Sequence, residues 1–265
     1  MGHELRRLRK RHETKKRLDE LASRENTVLA VHYSCESFYD RSVGWSPRIT
    51  SIAVRNIASG QTGSFSIHKV AERQGTPLAE IDAKYDALER KMLDEFFEYV
   101  RGHQGYVWVH WNMRDINYGF PAIEHRYQML GGNPINIEET NKFDLARALV
   151  ALYGVCYVGH PRLQRLITKN KIPDRDALSD QEEAEALKGK EYVKLHQSTL
   201  RRVYIIANIF ERTVNKTLKT DARWYEIYGV SPKVVAEIVQ EHWLFVLLGL
   251  LATILSIIGG VKLFF

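Results

Sequence analysis

A run of nineteen residues without a charged side chain, from Trp243 to Val261, constrains this 265-residue chain more than any other feature. At about 1.5 Å per residue, a helix of that length spans roughly 28 Å, close to the hydrocarbon thickness of a bilayer. The run therefore predicts a transmembrane tail anchor at residues 243–262, preceded by a linker at 221–242, with the N-terminal domain on the cytoplasmic side. A buried core helix is the alternative. The mean hydropathy of the whole chain, −0.32, excludes a polytopic membrane protein.

Small residues recur at four-residue spacing inside that run. Gly249 and Thr253 form one such pair, and Ser256 and Gly260 form another. Pairs of this kind let two membrane helices approach each other closely. They indicate a homo-oligomer held together through the transmembrane helix.

The positive charge of the chain is concentrated at its N-terminus. Residues 1–24 hold nine Lys or Arg against four acids, so this segment carries five of the six net positive charges. We interpret residues 1–25 as a basic helical arm, and such arms bind phosphates in nucleic acid or in anionic lipid headgroups. A solvated charged helix is the alternative. The candidate phosphate-binding residues are Arg6, Arg7, Arg9, Lys10, Arg11, Lys15, Lys16 and Arg17, with Arg162 and Arg165 on a smaller basic face.

The segment between the two ends predicts one α/β domain over residues 26–220. Apolar patterns of period two predict strands, and apolar positions with helical spacing predict helices. Three successive strands followed by a helix and a parallel strand predict a mixed sheet flanked by helices. The predicted strands are Thr27–Ser34, Arg48–Ile57, Ser64–His68, Tyr106–Trp111 and a short Ile135–Ile137, and the predicted helices are 77–100, 116–130, 143–153, 161–169 and 181–219.

Short motifs follow these elements in a definite order. The first strand ends in Ser34-Cys35-Glu36, and Asp115 stands five residues after His110, near the end of the fourth strand. The later motifs are Phe143-Asp144-Leu145, the run from His160 to Leu166 followed by Asn170-Lys171, and the segment from His196 to Arg201. Taken together, the motifs and the element order resemble the DEDD-type 3′–5′ exonucleases, a family with the ribonuclease H-like fold.

The resemblance implies a site of four carboxylates that hold two divalent metal ions, Mg²⁺ or Mn²⁺. Glu36 and Asp115 match two of the four acidic positions, and His196 matches the histidine before the last one. Ser34 stands at the first acidic position and Arg201 at the last. A neutral hydroxyl is a weak ligand, and a guanidinium repels a metal ion and is able to pair with the remaining carboxylates. These differences predict a degenerate site.

Two alternatives for the site remain open. A shifted register puts Tyr204 and Asn208 at the family's Tyr-x3-Asp positions, and Asn208 is also neutral. An active site would instead take Mg²⁺ or Mn²⁺ through Glu36 and Asp115, with Asp144 as a third carboxylate. Without activity we expect no cofactor.

The sequence thus predicts a membrane-anchored, catalytically degenerate exonuclease-like protein that binds nucleic acid or a protein partner in the cytosol. Such an arrangement would suit a sensor or effector in defence or signalling. The alternatives are an active, membrane-tethered nuclease and a structural membrane adaptor. Two cysteines are too few for a disulfide framework and favour a reducing compartment. The aromatic residues proposed to stack on unpaired bases are Phe38, Tyr39, Trp45, Trp108 and Trp111.

Overall fold

The computed structural model describes residues 3–36, 46–115, 117–228 and 247–253 of the chain. The helices with residue bounds in this part of the chain are α1 (His3–Ser23), α2 (Ile67–Arg73), α3 (Tyr85–Gly102), α4 (Phe120–Met129), α5 (Leu145–Tyr153), α6 (Arg162–Asn170), α7 (Asp180–Lys188), α8 (Tyr192–Val214) and α9 (Trp224–Tyr228). The strands are β1 (Val28–Cys35), β2 (Ile49–Asn56), β3 (Thr62–Ser66), β4 (Val107–His110) and β5 (Lys142–Asp144).

These strands form one mixed sheet in the order β3-β2-β1-β4-β5. Strands β1, β2 and β3 pair antiparallel, whereas β4 pairs parallel with β1 and β5 pairs parallel with β4. Strand β1 lies in the middle and is apolar over nearly its whole length, as expected of a strand covered on both faces. The predicted α/β domain with a mixed sheet flanked by helices is confirmed.

The two faces of the sheet carry different helices. Side chains alternate between faces along a strand, and Leu29, Val31 and Tyr33 of β1 belong to the apolar core that includes residues of α3. On the face that α8 covers, the Ser51 hydroxyl of β2 lies 2.6 Å from the Thr199 hydroxyl of α8. Ser51 is the register partner of Ser34, so the end of β1 that carries the first predicted motif lies beside α8.

The fifth strand lies later in the chain than the sequence predicts. Ile135–Ile137 forms no strand, and β5 is instead Lys142–Asp144, in which Phe143 pairs with Val109 of β4. Strand β5 has three residues, of which only Phe143 is buried and apolar, so it is too short for an alternating pattern to be recognised. Its position directly before α5 puts Asp144 beside the carboxyl end of β4.

Several predicted helices have different bounds. The segment 181–219 is two helices rather than one, because Lys190 between α7 and α8 adopts a left-handed conformation with φ of 58°. The predicted third strand stops at Ser66, where α2 begins at once. The segment 77–100 starts with two 3₁₀ turns before α3, and the segment 116–130 becomes helical only at Phe120.

The chain divides into two compact units. One unit consists of Leu18–Arg147 and His160–Lys219 and contains the sheet. The other consists of Met1–Arg17, Ala148–Gly159 and Thr220–Phe265. Within the described ranges, no helix combines the length and the apolar character needed to cross a bilayer. Of the predicted tail anchor, only residues 247–253 lie inside those ranges.

Candidate functional site at the ends of β1 and β4

The first predicted motif lies at the carboxyl end of β1. Ser34 is buried, and its carbonyl oxygen accepts a hydrogen bond from the Thr50 hydroxyl at 3.1 Å. Glu36 is partly buried, and its Oε2 accepts a hydrogen bond from the backbone N–H of Arg48 at 3.2 Å. The backbone N–H of Glu36 in turn donates to the Arg48 carbonyl at 2.9 Å. These bonds fix Glu36 against the start of β2.

The second and third motifs lie after β4 and β5. Asp115 is exposed, and its Oδ1 accepts a hydrogen bond from the backbone N–H of Asn117 at 2.8 Å. Asp144 is mostly buried, lies 2.5 Å from the Arg114 guanidinium, and accepts a hydrogen bond from the Arg147 backbone N–H at 3.2 Å. Asp144 therefore caps α5 and pairs with an arginine. A carboxylate engaged in this way is a poor third metal ligand.

His110 is the register partner of Asp144 across β4 and β5. Its Nδ1 accepts a hydrogen bond from the backbone N–H of Met113 at 3.1 Å, which requires a ring that carries no proton on that nitrogen. Burial lowers the pKa of His110 to about 4, although the negative charge of Asp144 opposes the shift. The neutral imidazole is thus part of the turn after β4.

Two neighbouring arginines on α8 have different surroundings. Arg201, at the position of the missing last carboxylate, donates to Oδ2 of Asp176 at 3.1 Å and lies over the Tyr204 ring at 5.5 Å. Its guanidinium is engaged with these residues and not in the predicted pairing with Glu36 and Asp115. Arg202, one position later, is the arginine whose charge reaches β1.

Arg202 is the centre of a polar cluster that we call the Arg202 cluster, defined as His32, Glu183, Ser198 and Arg202. Glu183, Ser198 and Arg202 are in contact, and His32 of β1 is included because the charge of Arg202 lowers its pKa. The Arg202 Nε lies 3.2 Å from Oε1 of Glu183, and the Ser198 hydroxyl donates to the same oxygen at 2.9 Å. A second guanidinium nitrogen of Arg202 donates to the Leu178 carbonyl at 2.6 Å. These bonds attach α7 and the segment before it to α8.

The charges of the Arg202 cluster affect one another. Burial, together with the positive charge of Arg202, lowers the pKa of His32 to about 3. Burial raises the pKa of Glu183, whereas Arg202 and the Ser198 hydroxyl oppose that rise. Burial and the charge of Glu183 raise the pKa of the Cys35 thiol, which makes it unreactive at neutral pH. Helix α8 therefore presents a cation, Arg202, that pairs with two acids, Glu183 at 3.2 Å and Asp180 at 3.3 Å.

His196, the histidine of the last motif, lies on α8 against His68 of α2. The two ring centroids are 5.0 Å apart, and the planes of the rings are inclined to each other by 50°. His196 is buried, and its Nε2 has no hydrogen-bond partner among the described residues. Burial lowers the pKa of His196 to about 4, with contributions from Lys69 and His68. Its described contacts are those of a packed, neutral core histidine.

The predicted stacking and phosphate-binding residues have varied exposure. Trp108 is completely buried in the core, so it is unable to stack on a base, and Trp111 is partly exposed. Phe38, Tyr39 and Trp45 lie outside the described residues. Of the predicted phosphate-binding residues on α1 and α6, six are exposed: Arg6, Arg9, Lys10, Lys15, Lys16 and Arg165. The other four, Arg7, Arg11, Arg17 and Arg162, are partly buried.

Sequence reasoning missed the members of the Arg202 cluster. His32 lies two residues before Ser34, and side chains two apart on a strand lie on the same face of the sheet. The sequence therefore could have indicated that His32 lies near the first motif. The sequence gives no such indication for Glu183, because its contact with α8 depends on the turn between α7 and α8. In the part of the chain that the structure describes, no group of three or more His, Cys, Asp and Glu side chains is arranged to hold a metal ion.

Comparison of the chain with protein-family models, with curated proteins and with solved structures found no match.

Proposed function

We propose that this protein is a membrane-anchored, catalytically degenerate relative of the DEDD-type exonucleases, with a ribonuclease H-like domain that acts by binding rather than by cleavage. The strand order β3-β2-β1-β4-β5, with its antiparallel and parallel halves, agrees with that fold. The strand order alone says nothing about activity, because one fold hosts many functions. Activity therefore depends on the side chains at the ends of β1 and β4.

The observation that carries the proposal is the ion pair that engages Asp144 with Arg114 beside the end of β4. Two-metal hydrolysis needs several carboxylates around one point, because the two ions must activate water and stabilise the leaving oxygen. Here Ser34 is neutral, Asp144 is paired with Arg114, and α8 contributes Arg202, a cation whose charge lowers the pKa of His32 on β1. This donor set does not fit a pair of Mg²⁺ or Mn²⁺ ions, so we derive no catalytic step through them.

The ligand that we propose for this domain is single-stranded nucleic acid. Helix α6, which carries the basic motif of the exonuclease resemblance, has exposed cationic side chains at Arg165 and Lys169, with Lys171 directly after the helix. Their spacing puts Arg165 and Lys169 one helical turn apart on the same face. Leu166 and Ile167 on the other side of α6 are buried and hold the helix against the domain.

Retention of labelled oligonucleotides by the full chain in detergent micelles tests this ligand. We expect Arg165→Glu/Lys169→Glu to weaken the binding of single-stranded DNA and RNA by about tenfold or more, because two phosphate contacts become repulsive. Arg73→Glu/Arg101→Glu makes the same change in charge at exposed positions of α2 and α3 and serves as the control. Equal retention by both double variants would contradict binding through α6. No retention by the parent would contradict a nucleic-acid ligand.

A further inference from the structure

Helix α1 has one side that is tied to its own compact unit. The Nε of Arg11 donates to the Leu152 carbonyl at 3.2 Å, and the Arg11 guanidinium lies 5.1 Å from the centroid of the Tyr228 ring. Residues up to Arg17 of α1, together with Leu152, Tyr228 and residues 247–253, belong to that unit. The helix is therefore held by the unit that also contains the described part of the predicted tail anchor.

The other side of α1 is a basic surface. Arg6, Arg9, Lys10 and Lys16 are exposed, and at 100° per residue they fall within about 120° of the helix circumference. Glu13 is the one acid in residues 6–17, against eight Lys or Arg. Among the described residues, no ion pair or side-chain hydrogen bond neutralises these four cations. We call these four residues the basic face of α1.

The short helical segment at residues 247–253 is apolar and open to solvent. Leu247, Leu248, Leu250 and Leu251 are between 47% and 59% exposed. Consecutive exposed leucines cover the helix on several sides, whereas a helix of a soluble domain buries one apolar stripe. A lipid environment explains such a surface, and it would bring phosphate headgroups to the unit that holds α1.

We propose that the basic face of α1 binds anionic phospholipid headgroups of the membrane that holds the C-terminal segment. This inference rests on the membrane anchorage in the proposed function. Each Lys or Arg near an anionic bilayer strengthens attachment by roughly fivefold, so four of them make a substantial contribution. Helix α1 contains no Phe, Trp or Tyr, and it therefore lacks the stacking surface that binds unpaired bases. The chemistry of this face favours a flat layer of phosphates.

Hydrogen exchange of the full chain in lipid nanodiscs tests the proposal. We expect the backbone amides of residues 6–16 to exchange about tenfold more slowly in discs with phosphatidylglycerol than in discs of phosphatidylcholine alone. In Arg6→Gln/Arg9→Gln/Lys10→Gln/Lys16→Gln, this difference should disappear. The control variant carries the same four-fold replacement at the exposed residues Arg73, Lys84, Arg101 and Lys188 and should keep it. Unchanged exchange in β1 and β4 shows that each variant is folded.

The outcomes separate the two proposals. A chain that does not co-purify with either kind of disc overturns the membrane anchor, and this inference with it. A chain that stays in the discs but shows equal exchange of α1 in both lipids overturns the lipid-binding face alone. Slower exchange of α1 on addition of a single-stranded oligonucleotide, with no effect of phosphatidylglycerol, also overturns it and assigns the face to nucleic acid.

Discussion

Replacing Arg126 with methionine is expected to lower the free energy of unfolding by about 3–5 kcal/mol, because it leaves the buried carboxylate of Glu89 without its counter-ion. Glu89 on α3 is completely buried, and its Oε2 lies 2.6 Å from the Arg126 Nη2 of α4. Its Oε1 accepts a hydrogen bond from the Ile49 backbone N–H at 2.6 Å. Arg126 also pairs with Asp86 of α3 at 2.7 Å, so it joins α4 to α3 through two carboxylates, and the buried one, Glu89, also bonds to the start of β2. Urea unfolding of the full chain in detergent measures the change.

Two further variants sharpen this prediction. Arg101→Met removes an arginine of α3, the helix that carries Glu89. The pair of Arg101 with Glu98 is exposed, so this change should cost less than about 1 kcal/mol. Burial raises the pKa of Glu89 and Arg126 opposes that rise, so the unpaired carboxylate is the costly group. Adding Glu89→Gln to Arg126→Met should therefore recover part of the lost stability. A loss below about 1 kcal/mol for Arg126→Met would show that the ion pair does not hold these elements together.

The second large effect is a loss of stability in mild acid. Burial lowers the pKa of His196 and of His110 to about 4, and that of His32 to about 3. In the unfolded chain these groups return to the ordinary pKa of about 6.5. Between pH 6.5 and pH 4 the unfolded chain thus binds protons that the folded chain does not bind. The free energy of unfolding should fall by up to about 1.4 kcal/mol per pH unit for each histidine. Above about pH 6.5 the histidines are neutral in both states, so they make no contribution to the pH dependence of stability.

A comparison of variants isolates one histidine from the other titrating groups. His196→Gln removes one proton-binding site from the unfolded chain, so its stability should fall less steeply from pH 6 to pH 4.5 than that of the parent. Buried acids such as Glu183, whose raised pKa acts in the opposite direction, are common to both proteins and cancel. His125 is exposed on α4, and His125→Gln is the matched control. Identical slopes for the parent and His196→Gln would refute a neutral, buried His196.

The central strands were predictable because their residues carry the signal themselves. Strands β1, β2 and β4 are rich in β-branched and aromatic residues. Each of their observed ends differs from the predicted end by one residue. Strand β5 was not predictable, because it consists only of Lys142, Phe143 and Asp144 and depends on pairing with β4. The turn that divides α7 from α8 depends on the left-handed conformation of Lys190, which the sequence marks only by the preceding glycine.

The candidate site was less predictable than the fold, since its contacts are long-range. The motifs led to Glu36, Asp115 and the part of α8 that carries Arg201, but they gave no signal for Arg202, the next residue along. Successive residues on a helix point about 100° apart, so Arg201 pairs with Asp176 whereas Arg202 pairs with Asp180 and Glu183. Glu89 and Arg126 are separated by 37 residues, so the sequence does not show that they pair. The position of Glu89 is marked, because Tyr85 and Leu93, one helical turn on either side, belong to the apolar face of α3.

Hydrolysis of 3′-labelled single-stranded DNA and RNA by the full chain, with Mn²⁺ or Mg²⁺, tests the central claim that this domain binds without cutting. We expect the labelled strands to keep their length, and Glu36→Ala/Asp115→Ala to give the same result as the parent. Metal-dependent shortening by the parent that is lost in the double variant would show that the domain cuts. It would make the protein an active, membrane-tethered nuclease.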